Sequence, residues 1–218
     1  MATSKMVKEV LDDINKTIKE LYSKGIVRDY LGVSVSGTGK NSFAITYSGK
    51  NSSSSVVYDK HITVSEIMDV LLKELQYTVL LYDKSLFQAE FEISDNKIIK
   101  ERLVFIKKHN RIWNMKEIEE YESTDEDWFA EQEGVPIMIR IDFAPKEHVE
   151  GKHAATHLTI SNHESCRVPV KGIVSFSEFV RFVLLQFYDM NLDIKVCRLD
   201  ESDTITKLER QMIHINWE

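Results

Sequence analysis

Four of the chain's seven histidines fall within one short segment, HVEGKHAATHLTISNHESC (148–166). Histidine side chains change charge close to neutral pH, so a dense group of them suits proton transfer or metal binding. The spacing of His153 and His157 would suit two metal ligands on a helix, but the residues between them lead into a strand. The segment therefore indicates a metal only weakly, and the sequence specifies no cofactor.

Strand alternation separates one of these histidines from the others. The strand candidates VPIMIRIDFAP, HLTISN and CRVPVKG follow each other closely, and in each of them apolar and polar residues alternate. Successive side chains of a strand point to opposite faces, so Leu158 and Ile160 are expected to face the core. If the three strands are neighbours in one antiparallel sheet, they share a polar face. Its members are Arg140, Asp142, His157, Thr159, Ser161 and Arg167.

This set of residue types predicts a site for phosphodiester chemistry. Asp142 is expected to hold His157 in one tautomer and to raise its basicity, while His157 acts as the general acid or base. Arg140 and Arg167 are expected to clamp a phosphate and its developing charge. Thr159 and Ser161 are expected to help bind the substrate. The remaining histidines are expected to add a second proton-transfer group or to complete a metal site with Asp142; they are His148, His153 and His163.

A plainer interpretation stays open beside this one. Alternation is also the usual pattern of an antiparallel sheet with one solvated face. Arg140 and Asp142 would then form a surface ion pair of little energetic value. Convergence of Arg140, Asp142, His157 and Arg167 in one pocket, with His157 reachable by solvent, distinguishes the two interpretations.

Two further motif matches do not fit their structural context. SGTGKNS (36–42) is similar to a phosphate-binding loop, but Asn41 follows Lys40 where Ser or Thr is required, and a strand follows instead of a helix. HITVS (61–65) and HLTIS (157–161) resemble the paired His-x-Thr motifs of the two-histidine phosphoesterases. Thr63, however, is better explained as the N-cap of a helix, because Glu66 follows it at capping-box spacing.

Apolar periodicity predicts helices near 5–24, 64–77 and 176–188, the last of them apolar almost all round and begun by a capping box of Ser175 and Glu178. LFQAEFEIS and IIKERLVFIKKH flank DNK as a hairpin, and MIHINWE is a candidate terminal strand. The basic stretch 97–111 is interpreted as a solvated or edge strand, and the acidic stretch 117–133 as a solvated face. We therefore expect a single α+β domain, 1–218, in which helices cover a mostly antiparallel sheet.

Composition limits the classes of protein that remain. A net charge of −7 argues against coating duplex nucleic acid by phosphate neutralisation alone. The two cysteines, Cys166 and Cys197, favour reduced thiols over a disulfide framework. No signal-like or membrane-spanning stretch is evident, so we expect a cytoplasmic protein without membrane contact.

Residues 139–188 resemble an uncharacterised bacterial family, a domain of unknown function. The matching features are an Arg-x-Asp strand, a histidine-containing loop, a His-x-Thr strand, an Arg-x-Pro-Val strand and a helix ending in Phe-Tyr. In this chain they are Arg140, Asp142, His148, His153, His157, Thr159, Arg167, Pro169, Val170, Phe187 and Tyr188. Thr159 stands where the family pattern favours a second histidine, which puts a paired-histidine mechanism in doubt.

The resemblance also suggests a biological setting. Similar proteins occur near bacterial mobile and antiviral-defence genes, which implies an RNase-like or nuclease component of a defence or toxin system acting on RNA or nucleotides. Two alternatives belong to other classes. One is a non-catalytic adaptor that binds a partner enzyme encoded nearby through 117–133 or an apolar patch, and the other is a nucleotide-sensing module, since arginine pairs suit nucleotide phosphates.

Overall fold

The computed structural model describes residues 4–47, 56–59, 61–107, 136–161, 166–199 and 202–216. The α-helices of this part are α1 (Lys5–Ser23), α2 (Val64–Lys73) and α3 (Phe176–Tyr188). The strands are β1 (Val27–Tyr30), β2 (Val33–Gly39), β3 (Ser42–Tyr47), β4 (Val79–Leu81), β5 (Leu86–Ser94), β6 (Lys97–Lys107), β7 (Ile137–Phe143), β8 (Thr156–Ile160), β9 (Arg167–Lys171) and β10 (Ile215–Asn216). Short 3-10 helices lie at Val56–Tyr58, Pro145–Glu147 and Glu209–Gln211.

Capping side chains set the helix starts that the sequence predicts. Thr63 and Glu66 form a complete capping box at α2, and Ser175 and Glu178 form another at α3. The capping role of Thr63 is thus confirmed. Helix α2 ends at Lys73, earlier than predicted, because Leu75 takes a left-handed φ of 54° and Gln76 N–H donates to the Leu71 carbonyl at 2.8 Å.

The ten described strands form one sheet in the order β1-β4-β5-β6-β7-β8-β9-β10, and β3 joins β5 beside β4 while β2 pairs with β3. Every pairing is antiparallel except the parallel contact of β10 with β9. The β5–β6 hairpin turns at Asp95 and Asn96, whose φ angles of 48° and 64° are those of a two-residue hairpin turn. The predicted α+β fold is confirmed.

Strand β6 lies in the middle of the sheet, between β5 and β7. The interpretation of this basic stretch as a solvated or edge strand is therefore wrong for 97–107, because its last seven residues are buried. Two of its cations, Arg102 and Lys107, are buried together with carboxylates instead of facing water. Lysine and arginine are rarely buried without such partners.

Two apolar cores cover the two faces of the sheet. Helices α1 and α3 pack on one face, where Phe87 contacts Phe105, Phe176 and Phe179 with ring centroids 5.0, 6.2 and 6.1 Å apart. Truncating a buried phenylalanine of this kind costs about 3–5 kcal/mol. Helix α2 packs on the other face in a smaller core that includes Val104 and Met138. Among the described residues, no helix combines the length and apolarity needed to cross a membrane.

Two buried carboxyl groups accept hydrogen bonds from backbone N–H groups in the first turn of α3 and just before it. Asp13 of α1 accepts a hydrogen bond from Ser177 N–H at 3.2 Å, and Glu101 of β6 accepts one from Val174 N–H at 3.2 Å. Burial raises the pKa of Asp13 to about 6 and raises the pKa of Glu101 well above its ordinary value. The Asp13 contact joins α1 to the N-terminal end of α3, where the helix carries a partial positive charge, and the Glu101 contact joins β6 to the residue before the N-cap.

Candidate functional site

Antiparallel pairing across β5 to β9 aligns two rows of side chains on the face of the sheet that α2 partly covers. We call the first the arginine row; it consists of Gln88, Val104, Arg140, Thr159 and Arg167. We call the second the histidine row; it consists of Glu90, Arg102, Asp142, His157 and Pro169. The face expected from β7 to β9 thus continues onto β5 and β6.

The histidine row contains a buried ladder of alternating charges. Asp142 accepts from Arg140 Nε at Oδ2 over 2.5 Å and from Arg102 Nε at Oδ1 over 3.3 Å, and Arg102 Nη1 reaches Glu90 Oε2 at 3.4 Å. Burial by itself would raise the pKa of Asp142, but the charges of Arg140 and Arg102 outweigh it and hold that pKa below its ordinary value. Asp142 is therefore an ionised support for two arginines.

His157 lies beside this ladder in a single tautomer. Its Nδ1 is 3.0 Å from the Ala154 carbonyl, which can only accept, so Nδ1 carries the proton. Its Nε2 is 3.9 Å from Asp142 Oδ2, which is too far for a hydrogen bond. The expectation that Asp142 holds the tautomer is therefore corrected, since Ala154 holds it and arginines occupy both Asp142 oxygens.

Burial also determines the protonation state of His157. Only 2% of this residue is exposed, and this desolvation lowers the pKa of the imidazole, while the Asp142 charge opposes the shift. The ring is consequently neutral at pH 7, and Nε2 carries a lone pair that can accept a proton. Asp142 and His157 lie together, but the solvent access to His157 that the enzymatic interpretation requires is not met among the described residues.

The arginine row ends in two donors without partners. Thr159 Oγ1 and Arg167 Nε are buried, and neither has a hydrogen-bond partner in the part of the chain that the structure describes. The two residues are register partners on β8 and β9, so their side chains are neighbours. Buried polar atoms are nearly always paired in folded proteins, so adjacent unpaired donors mark a place where an acceptor is missing.

Arg140 has a different role from the phosphate clamp that the sequence suggested. Its Nε is bound to Asp142, and its Nη1 donates to the Val57 carbonyl at 3.3 Å. Both contacts are internal to the protein and fix the guanidinium against the sheet. Of the two predicted clamp residues, Arg167 is the one that retains an unpartnered donor atom.

One of the predicted accessory histidines reaches the rows. The ring of His153 makes an edge-to-face contact with His157, with centroids 4.6 Å apart and planes at 71°. A β-bridge between Val149 and His153, with hydrogen bonds of 2.8 and 2.7 Å, fixes the backbone of this loop. Burial, followed by the charge of Arg167, lowers the pKa of His153.

The other predicted residues lie elsewhere. His148 Nε2 is 3.2 Å from Glu209 Oε1, so it joins the loop to the C-terminal segment. Ser161 follows the end of β8 with a φ of 58°, so the alternation does not extend to it, and Ile160 is 45% exposed instead of facing the core. His163 lies outside the described residues.

Sequence reasoning missed a second buried polar cluster, which we call the closed cluster. It consists of Asp83, Ser85, Lys107 and Tyr188. Lys107 Nζ and Tyr188 Oη each lie 2.7 Å from Asp83 Oδ2, and Ser85 Oγ lies 2.5 Å from Asp83 Oδ1. Burial raises the pKa of Asp83, but Lys107 outweighs that effect and the pKa is lowered.

Glu90 and Arg102 of the histidine row were also missed. The predicted hairpin together with strand alternation places them on one face, since they are register partners on β5 and β6. The position of β6 beside β7 was the missing information, because the chain between them, 108–136, gives no register signal.

Cys166 and Cys197 are free thiols, as the composition favours.

The fold and its rows define an α+β protein whose central sheet carries a buried charged face. A family model described as an uncharacterized conserved protein (DUF2290) matches residues 26–217, and the chain belongs to this family. The match extends well beyond the 139–188 segment and includes every strand described above. Neither the search of curated proteins nor that of solved structures found a match. Within the described residues, no group of three or more His, Cys, Asp or Glu is placed to hold a metal.

Proposed function

We propose that the two rows form a phosphodiester-directed site, and that the protein is an RNase-like enzyme or nuclease component of a bacterial defence or toxin system. Arg167 and Thr159 receive the phosphate, and His157 exchanges a proton with the reacting oxygen. Asp142, Arg140 and Arg102 keep the surrounding charges fixed.

One observation carries this proposal. Thr159 Oγ1 and Arg167 Nε are neighbouring buried donors without partners among the described residues, and His157 lies two residues from Thr159 on the same face of β8. A phosphate oxygen supplies the acceptor that both donors lack, and arginine binds such oxygens strongly. The neighbouring imidazole is the proton-transfer group of this proposal, and the reaction requires that a substrate gains access to a residue that is 2% exposed.

The chemistry follows from the protonation state of His157. Its neutral Nε2 takes the proton of an attacking hydroxyl, from water or from a ribose, as the new O–P bond forms. The old O–P bond breaks, and the imidazolium returns that proton to the leaving oxygen. Arg167 offsets the negative charge that develops on the phosphate in the transition state.

The test is cleavage of labelled single-stranded RNA and of DNA of the same sequence by the full chain. His157→Gln is expected to lower the rate by about 10²–10⁴-fold, the usual contribution of a general acid or base. His61→Ala is the matched control, because His61 is exposed and its replacement is expected to leave the rate unchanged. A folded His157→Gln protein with full activity, or a wild-type protein that cleaves neither polymer, contradicts the proposal.

Nucleotide sensing is a second candidate, and the burial of His157 favours it. A ring that is 2% exposed suits a closed binding site better than an open cleavage site for a polymer. Equilibrium dialysis with labelled nucleotides, followed by chromatography of the recovered ligand, separates the candidates. Intact bound nucleotide supports sensing, and a cleaved product supports the enzyme.

The adaptor alternative uses the acidic segment 117–133, which lies outside the described residues, or an apolar patch. The acidic segment shares no residue with the two rows. Pull-down of an enzyme encoded nearby by the wild-type chain and by His157→Gln tests it independently, because an adaptor of this kind retains its partner in both proteins.

A further inference from the structure

We propose that Arg167, Thr159, His157 and His153 form a subsite that binds an oxyanion and takes up a proton in the same step. The inference rests on the site of the proposed function, but it requires no bond to be cleaved. It assigns a ligand class, the singly charged oxyanion of a phosphodiester, and a regulation of its binding by pH.

Arg167 and Thr159 supply the anion-binding donors of this subsite. Their unpartnered Nε and Oγ1 atoms face the same side of the sheet on adjacent strands. Thr159 is 2% exposed, so its hydroxyl is a buried polar group of the kind that folded proteins normally pair. A tetrahedral oxyanion offers several oxygen acceptors and can satisfy both donors at once.

The net charge of the two rows indicates the charge of the ligand that neutralises them. Three arginines and two carboxylates belong to the rows, and the ion pairs join Arg102 and Arg140 to Glu90 and Asp142. Arg167 is therefore the excess cation of the rows. A monoanion such as a phosphodiester balances it, whereas a dianion brings one negative charge more.

The imidazoles of His153 and His157 are the groups that take up the proton. His153 and His157 are in ring contact, and Arg167 lies close enough to both to disfavour their protonated forms. The charged groups that face His153 are Glu147, His148, Asp142 and Arg167, and those that face His157 are Asp142, His153 and Arg167. An anion bound at Arg167 screens that cation and pairs with an imidazolium, so binding favours protonation.

Linkage makes the effect reciprocal. If anion binding raises the proton affinity of an imidazole, then lowering the pH must raise the anion affinity by the same factor. A dianion leaves more negative charge for the imidazoles to compensate than a monoanion does. The protein is therefore expected to take up more protons when it binds sulfate than when it binds dimethyl phosphate, which represents a phosphodiester.

Isothermal titration calorimetry of the full chain tests the inference. Sulfate and dimethyl phosphate are each titrated at pH 7 in two buffers of different ionisation enthalpy, and the difference in heat counts the protons taken up. We expect uptake from the buffer, and an affinity that falls by up to about tenfold per pH unit as one imidazole loses its proton.

Variants distinguish the residues that bind the anion from those that take up the proton. Arg167→Ala is expected to weaken both anions by tenfold or more, while Arg181→Ala, an exposed arginine of α3, leaves them unchanged. His153→Gln is expected to reduce proton uptake while binding at high pH persists. Absence of binding by either probe, wild-type affinity in Arg167→Ala, or equal heats in the two buffers overturns the inference.

These outcomes are independent of cleavage. Protein that cleaves RNA but binds both anions without proton uptake retains the proposed function and loses this inference. Protein that binds anions with proton uptake but cleaves neither polymer retains the inference and loses the enzymatic proposal.

Discussion

The closed cluster and the two rows are both buried and charged, but they differ in whether their hydrogen bonds are complete. Asp83 is surrounded by Lys107, Ser85 and Tyr188, and each of these reaches one of its oxygens. The rows instead leave Thr159 Oγ1 and Arg167 Nε without partners among the described residues, as well as Gln88 Oε1 at the opposite end of the arginine row.

The contrast shows how a structural polar cluster differs from one available to a ligand. Both contain a lysine or arginine beside an aspartate, so charge and burial alone do not distinguish them. Completeness does, because an unpaired buried donor costs about 1–3 kcal/mol that a ligand can recover. The following experiments measure that difference.

The largest effect is expected in the closed cluster. Lys107→Met leaves Asp83 buried without its cation, which is expected to lower the free energy of unfolding by about 3–5 kcal/mol. Urea denaturation measures it, with the exposed Lys195→Met as the control. Adding Asp83→Asn to Lys107→Met is expected to recover part of the loss. A cost near zero for Lys107→Met contradicts the structural role of this pair.

Asp142→Asn separates stability from binding in the rows. It removes the charge that pairs with Arg140 and Arg102, and we expect a loss of about 3 kcal/mol in the free energy of unfolding. The same change leaves more positive charge beside Arg167, so sulfate affinity is expected to rise. Urea denaturation measures the loss of stability, and calorimetry on the same preparation measures the gain in sulfate affinity. A fall in sulfate affinity contradicts the assignment of Asp142 as an internal support.

Removing a side-chain hydroxyl is expected to change the free energy of unfolding by a smaller amount, and in opposite directions in the two regions. Thr159→Val keeps the side-chain shape and removes an unpaired buried hydroxyl, so it is expected to stabilise the protein by about 1 kcal/mol while weakening anion binding. Ser85→Ala breaks bonds to Asp83 and Tyr188 and is expected to destabilise by about 1–2 kcal/mol. Thermal denaturation compares them, and equal signs would remove the distinction.

The smallest effect is a pH dependence that His157 gives to the rows and that the closed cluster lacks. The pKa of His157 is lowered in the folded protein, so its stability contribution is complete above 6.5, the ordinary value, and is lost as the pH falls through the folded pKa. Asp83, whose pKa is also lowered, contributes above 3.8 and has no effect near neutrality. His157→Gln is expected to remove this loss, which appears as a pH-dependent difference from wild type because Asp13, Glu101 and His153 titrate in both proteins. Urea denaturation measures it, and a difference that does not change with pH contradicts the prediction.

Local signals predicted the local structure well. The capping boxes at Thr63 and Ser175 and the hairpin turn at Asp95 depend on residues close in sequence, and the structure has all of them. Alternation also placed Arg140, Asp142, His157, Thr159 and Arg167 on one face, since period and register are properties of the strands themselves.

Partners distant in sequence were not predictable in the same way. Lys107 and Arg102 looked like solvent-facing cations because their carboxylates come from other strands and turns, Asp83 and Asp142. The sequence also did not predict that Asp142 binds Arg140 instead of His157. Alternation indicates the face on which a side chain lies but not the atom that it binds. Ser161 was misplaced because the strand ends one residue before it.

The register that joins β6 to β7 has a consequence for how the site is assembled. The ladder crosses two hairpin-like pairs, β5 with β6 and β7 with β8, and one pair between them, which brings Arg102 opposite Asp142 across forty positions of sequence. Loop closure makes such distant pairs late and slow to form. The Arg102–Asp142 contact thus joins two parts of the sheet that are distant in sequence. Arg167 and Thr159 both lie on the β7 side of it, so the two anion-binding donors come from one of these parts alone.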